Sequence, residues 1–199
     1  MKALVIGATG ATGKDLVTQL LSDPDFKEVD VFVRKPVTIQ NPKLKTHIVD
    51  FEKPDEWKDL VKGDVAFSCL GTTLKTAGSK EAQRKVDYDY QYNFAKSARE
   101  NNVEDYVLVS SYGADSKSKI FYSKMKGDLE QSVKALHFNK ITIFQPGMLE
   151  RKETERMGEV LGGKIIKLAN KLGMFKSQKP LPTEVLAKAM INSSKIKSN

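Results

Sequence analysis

The chain has 199 residues, 40% hydrophobic and 29% charged. That argues against wholesale disorder and allows a core that needs no disulfide or metal staple. It carries 33 basic and 25 acidic residues, a net charge of +8. Residues 1–150 hold 22 basic and 21 acidic residues, and residues 151–199 hold 11 and 4, so the excess lies in the last quarter and argues against a nucleic-acid partner. The single cysteine, Cys69, excludes a disulfide scaffold and a cysteine-based zinc site, and a reducing, cytoplasmic compartment is expected. His47 and His137 are too few and too far apart to suggest a metal centre. No apolar run approaches the roughly 20 residues of a membrane span, so no integral membrane contact is expected. The opening MKALVIGATG reads as a buried strand entering a tight loop rather than as a signal peptide.

In chain order, Ala3–Ile6 is a compact apolar run, followed by a Gly/Thr loop and a helix to about Leu21. Val29–Val33 and Thr46–Val49 read as the second and third strands. Asp55–Leu60 reads as a short helix and Asp64–Leu70 as a fourth strand. A long helix is expected over Ser79–Asn101 and a fifth strand over Tyr106–Ser110. A helix over Lys119–Leu136 and a sixth strand over Ile141–Phe144 follow. Strands that are apolar on both faces and alternate with helices predict an α/β fold with a doubly wound parallel sheet. After Pro146 the strand rhythm stops. The expected organisation is a single domain, 1–199, with residues 147–182 as a small substrate-side cap. Residues 183–196 form a closing helix, with Thr183 as its candidate N-cap.

Gly7-Ala-Thr9-Gly10-Ala11-Thr12-Gly13 lies between the first strand and the first helix. Such a loop needs residues without a Cβ for its turn, for approach to a pyrophosphate, and for close helix–strand packing. The helix N-terminus behind it favours a phosphate. A P-loop is rejected, because Ala8 and Asp15 stand where that motif needs Gly and Ser or Thr. The second strand ends in Arg34-Lys35, with no acid at its tip to bond a ribose hydroxyl; Asp30 comes too early. A guanidinium there can pair bidentately with a 2′-phosphate, so NADP(H) is expected over NAD(H). Lys14 can add charge to the same pocket. Asp50 and Phe51 close the third strand beside the expected adenine site. Leu70-Gly71-Thr72-Thr73 closes the fourth, facing the same crevice.

Tyr122 and Lys126 are spaced to share one helix face. A nearby ammonium would lower the tyrosine pKa and ready it for proton transfer. The motif carries weight through its position, in the helix after the fifth strand. That strand ends in Ser110-Ser111, at the edge where ligands bind. Ser111, further past the strand, is the first candidate to hold a carbonyl, with Ser110 the alternative.

With these pieces placed, the chain resembles the short-chain dehydrogenase/reductases, in particular the atypical branch of HIV Tat-interacting proteins. The stretches that carry the resemblance are GATGATG, VRK, VDFEK at 49–53, CLGTT at 69–73, VDYDY at 86–90, LVSSYGAD at 108–115, YSKMKGDLE at 122–130 and FQPGMLE at 144–150. The resemblance implies a Rossmann-like fold binding NADPH, with Ser111, Tyr122 and Lys126 as the catalytic set. Tyr122 would exchange the proton, Lys126 would bond the nicotinamide ribose, and Ser111 would orient the carbonyl. Pro146 and Gly147 would contact the nicotinamide end. Two departures stand out: Asp87 where many extended members carry Asn, and Gln145 where Arg often precedes the Pro-Gly pair.

The C-terminal segment adds a further pattern. Leu161, Ile165, Leu168 and Leu172 recur at helical spacing, with Lys164, Lys167 and Lys171 on another face and Gly173 at the end. This reads as a basic amphipathic lid, with Gly162-Gly163 as a hinge and an anionic small-molecule substrate as one consequence of its charge. Three functions compete: an NADPH-dependent reductase of a small carbonyl compound, a non-catalytic NADPH-binding regulator acting through a protein partner, and a binder of anionic surfaces. A monomer or homodimer fits each.

Overall fold

A computed structural model of the chain describes residues 1–150 and 180–196. Six parallel strands form one sheet in the order β3-β2-β1-β4-β5-β6. They are β1 (Lys2–Ile6), β2 (Glu28–Val33), β3 (Leu44–Ile48), β4 (Val65–Ser68), β5 (Asp105–Val109) and β6 (Lys140–Phe144). Successive side chains on a strand face opposite sides. Ala3 and Val5 of β1 therefore enter one core, and Leu4 and Ile6 the other. On the first face lie α1 (Ala11–Ser22) and α6 (Thr183–Lys195), through Leu16, Leu20, Leu186 and Met190. On the second lie α4 (Tyr90–Glu100) and α5 (Phe121–Lys134), through Phe94, Ala98, Leu129 and Val133. The expected doubly wound sheet is the observed one. Its strand order reverses between β1 and β4, which opens a crevice beyond their carboxyl ends.

Several boundaries differ from the sequence expectation. The long helix expected over Ser79–Asn101 is three pieces: α3 (Lys80–Arg84), a π-helical turn (Lys85–Asp89) and α4. The short helix expected over Asp55–Leu60 is two 3₁₀ turns, Pro54–Glu56 and Lys58–Leu60. The fourth strand is shorter than expected, because the chain leaves the sheet after Ser68 to build the crevice loop. A short helix not anticipated from the sequence, α2 (Leu74–Ala77), follows that loop. Thr183 is not the N-cap of the last helix. Pro182 holds that position, and the Thr183 hydroxyl instead donates to Asp15 Oδ2 at 2.5 Å, tying α6 to α1.

The buried Asp30 lies inside β2, opposite Leu4 of β1, so it is far from the crevice edge, as expected. Its carboxylate binds His47 Nε2 at 2.7 Å and Lys2 Nζ at 3.1 Å. Two further strands, β7 (Leu149–Glu150) and β8 (Leu181–Pro182), pair in parallel, with Leu149 opposite Leu181. Most of the expected cap, including Leu161–Leu172 and its lysines, lies outside the described residues.

Candidate active site

The glycine loop is shaped by contacts that leave no room for side chains. Gly7 has φ +83°, a conformation that disfavours residues with a Cβ, and a Cβ there would lie 2.5 Å from the Cys69 carbonyl carbon. A Cβ on Gly13 would lie 2.1 Å from Gly7 O. The loop closes on itself through Gly10 N–H donating to Gly7 O at 3.0 Å. Gly10 then caps α1 with no side-chain hydrogen bond over its first turn. This leaves a helix N-terminus suited to an anion, and a concave loop of backbone suited to a pyrophosphate. Thr9 and Gly10 are exposed, whereas Thr12 and Gly13 are buried behind the loop. The residues present therefore fit a dinucleotide.

Arg34 and Lys35 follow β2 directly and are both exposed. The Arg34 charge acts on Tyr90, which places it at the β2–β3 end of the crevice. Burial, then a hydrogen bond to Glu52, pushes the Tyr90 phenol up to about 12. Phe51 is buried in the core. Its ring stacks on Tyr90 at 5.4 Å and meets Trp57 edge-on at 5.9 Å. That engages the ring suggested by sequence as an adenine contact. Asp50 is exposed and accepts from Glu52 N–H at 3.0 Å. Desolvation pushes the thiol of the partly buried Cys69 up to about 12, which argues against a nucleophile there.

The loop Leu70–Thr73 is tied to α5 by one carboxylate. Asp87, buried in the π turn, accepts from Thr72 N–H through Oδ2 at 2.9 Å. Its Oδ1 faces Lys126 Nζ at 3.2 Å, and both side chains are almost wholly buried. A Cβ on Gly71 would reach 3.3 Å from the same Oδ1, so glycine lets the loop pass close over the carboxylate. Burial raises the Asp87 pKa, and the Lys126 charge opposes that rise.

Tyr122, in the first turn of α5, is 37% exposed toward the crevice. Its pKa is raised, first by burial and then by the Asp87 charge, while a hydrogen bond with the Ser111 hydroxyl pulls it back. This corrects the expectation that Lys126 would lower it. Lys126 is engaged by Asp87, and the carboxylate offsets the field of the ammonium at the phenol. Ser111 lies just past β5 with its Oγ 3.5 Å from Tyr112 O. The alternative, Ser110, is buried, and its hydroxyl donates to Glu130 Oε1 rather than facing a ligand. The buried Glu130 also accepts from Gln145 Nε2 at 2.8 Å. Pro146 O accepts from Tyr112 N–H at 2.9 Å, and the neighbouring Gly147 is exposed.

Two residues that sequence reasoning missed hold this arrangement. Glu130 carried no signal of its own. Gly127 did carry one: glycine inside a helix costs about 1 kcal/mol relative to alanine and marks a close approach. A Cβ there would meet Ser116 N at 2.1 Å, so Gly127 admits the backbone of 115–116 against α5.

Beside Tyr122 is a cavity of about 430 Å³, lined among others by Thr72, Leu74, Lys80, Ile120 and Phe121. A second cavity of about 670 Å³ lies at the opposite, amino edge of the sheet, around Met1, Asp25 and Lys195. Lys195 there is already paired with Asp23 and Asp25.

Parallel sheet, glycine loop and crevice together define a dinucleotide-binding protein. The chain belongs to the NAD(P)H-binding family, which matches it over residues 7–167, and it is a relative of the HTATIP2 and FMP52 proteins. Rat HTATIP2 is 34% identical over 195 residues, covering 95% of this chain and 79% of the relative. The FMP52 protein of Candida albicans, named as mitochondrial, is 36% identical over 165 residues, covering 79% and 72% respectively. A short-chain dehydrogenase from Burkholderia cenocepacia, solved in complex with NADP, superposes with a TM-score of 0.70 at 14% identity, covering 99% of this chain and 85% of its own. The last likeness is one of fold. Among the described residues, no helix is long and apolar enough to cross a membrane, and no cluster of His, Cys, Asp and Glu could hold a metal.

Proposed function

We propose that the protein is an NADP(H)-dependent reductase of a small carbonyl compound. The observation that supports this reading is that Tyr122 lines a cavity of about 430 Å³ and is hydrogen-bonded to the Ser111 hydroxyl just past β5. The phenol is protonated at neutral pH, the form that carbonyl reduction requires of its acid, although the raised pKa makes it a weaker one than the sequence leads one to expect. NADPH, when bound, supplies the hydride. Tyr122 Oη gives its proton to the carbonyl oxygen, and Ser111 Oγ donates a hydrogen bond to the same oxygen. Lys126 has donors beyond the one facing Asp87, suited to a ribose hydroxyl. Arg34 and Lys35, with no acid at the tip of β2, support NADP(H) over NAD(H).

The test is a panel of aldehydes and ketones with NADPH, run on wild type and Tyr122→Phe. The expected result is a loss of kcat/KM of about 100- to 10,000-fold, with NADPH affinity retained. Equal activity in both would remove Tyr122 from the mechanism. The competing reading, a non-catalytic NADPH-binding regulator, is favoured by the engagement of the Lys126 ammonium with Asp87. It predicts NADPH binding with no turnover across the panel. For location, the lone cysteine supports a reducing compartment such as the cytoplasm, while the fungal relatives are named mitochondrial; subcellular fractionation decides between them.

A further inference from the structure

The cavity beside Tyr122 has a composition that points to a kind of substrate. Its volume, about 430 Å³, falls within the range of small-molecule sites, which are mostly apolar with a few placed polar groups. Leu74, Ile120 and Phe121 supply apolar wall, with Leu74 and Ile120 exposed. Tyr122 is at one end. Lys80 is the one charged side chain among the described lining residues.

Lys80 is held by position rather than by a counter-ion. It is the first residue of α3, set there by Ser79, whose hydroxyl caps the helix by accepting from Ala82 N–H at 3.1 Å. Its ammonium lies 5.5 Å from the centroid of the Phe121 ring. Among the described residues no carboxylate lies within ion-pair distance of it. Glu81, its neighbour in sequence, bonds Ser79 and its own backbone N–H and feels the Lys80 charge without forming an ion pair with it. The cavity thus has an apolar middle, a proton donor at one side and a cation at its rim that forms no ion pair among the described residues, with no acidic residue among the described lining.

We propose that this cavity is the substrate subsite, and that it selects a carbonyl compound with an apolar or aromatic body and a carboxylate that pairs with Lys80. The inference rests on the reductase reading and specifies its substrate class. Every residue it uses lies within 72–122.

Matched aldehydes test it: 4-carboxybenzaldehyde against its methyl ester, each assayed with NADPH. Wild type is expected to favour the acid by about fivefold in kcat/KM, the scale of one solvent-accessible ion pair. The preference is expected to lie in KM and to weaken with salt. Lys80→Ala should bring the ratio to about one, Lys80→Glu should invert it, and Lys80→Arg should keep it. A wild-type ratio at or below one, or a ratio unmoved in Lys80→Glu, overturns the proposal. A binding arm separates it from the reductase reading. Calorimetric titration of 4-carboxybenzyl alcohol and benzyl alcohol into the protein saturated with NADP⁺ reads the same preference without turnover. Lys80-dependent binding of the acid with no aldehyde reduced would uphold the subsite and end the reductase reading. Reduction of both aldehydes with no Lys80 dependence would do the reverse.

Discussion

At the carboxyl end of β1 the site is shaped by side chains that are missing, whereas at the ends of β4 and β5 it is shaped by side chains that meet from distant parts of the chain. Gly7 and Gly13 work because a Cβ on either would strike backbone, at 2.5 and 2.1 Å. Asp87, Lys126, Ser110 and Glu130 work because they find one another across the fold. The first construction is backbone against backbone, and at Gly7 and Gly13 it leaves no room for anything larger. The second is distributed, and each member can be exchanged at a cost that depends on what it leaves unpaired.

The sharpest break in the second region is Asp87→Ala. It strands a buried ammonium at Lys126 and frees Thr72 N–H, so a loss of about 3–5 kcal/mol is expected, read from denaturant unfolding. Asp87→Asn sharpens the same point through pH. Reduction by Tyr122 is present while its phenol is protonated and is lost as pH rises through its pKa. Removing the Asp87 charge removes one cause of the raised value, so the alkaline limb of kcat/KM should move to lower pH. An unmoved limb would confine Asp87 to a purely structural role.

The first region breaks next. Gly13→Ala should cost about 1–3 kcal/mol by overpacking and weaken NADPH binding, because the neighbour it strikes is backbone and cannot swing aside. Arg34→Ala should reduce NADPH affinity about tenfold and leave NADH affinity unchanged, measured by fluorescence titration. Gly10→Ala gives the smallest effect, within about 0.5 kcal/mol. Its Cβ would lie 3.3 Å from one carbonyl oxygen, a gap the loop can absorb.

The same contrast explains what the sequence discloses. The glycine loop, the alternation of strands and helices, and the tip of β2 are readable because each is written in a run of about ten neighbouring residues, even where, as at Gly7, the backbone that demands glycine is that of Cys69. The π turn is not, since Lys85–Asp89 continue the helical pattern around them. Asp87 is visible as a departure from family habit, but its partner Lys126 is brought to it only by folding, and with that pairing the expected direction of the Tyr122 pKa reverses. Phe51 and Ser110 stand at strand ends and so read as ligand contacts. Each turned inward because a buried neighbour, Trp57 or Glu130, offered it a partner. The cavity at Lys80 left no mark in the sequence, because its walls come from α3, the β4 loop and the start of α5.

Tyr122, Lys126 and Glu130 are four residues apart on α5 and form one stripe along it. The two lower members are each bolted to something off the helix: Lys126 to Asp87, and Glu130 to Ser110 and Gln145. Each residue of an α-helix adds about 100° of rotation, so a helix held by grease alone has freedom to roll. Two polar fasteners about 6 Å apart along the axis draw a straight line on its surface. The phenol lies on the extension of that line, one turn further on. Its bearing toward the crevice is therefore fixed as a compass needle is, by two points behind the tip.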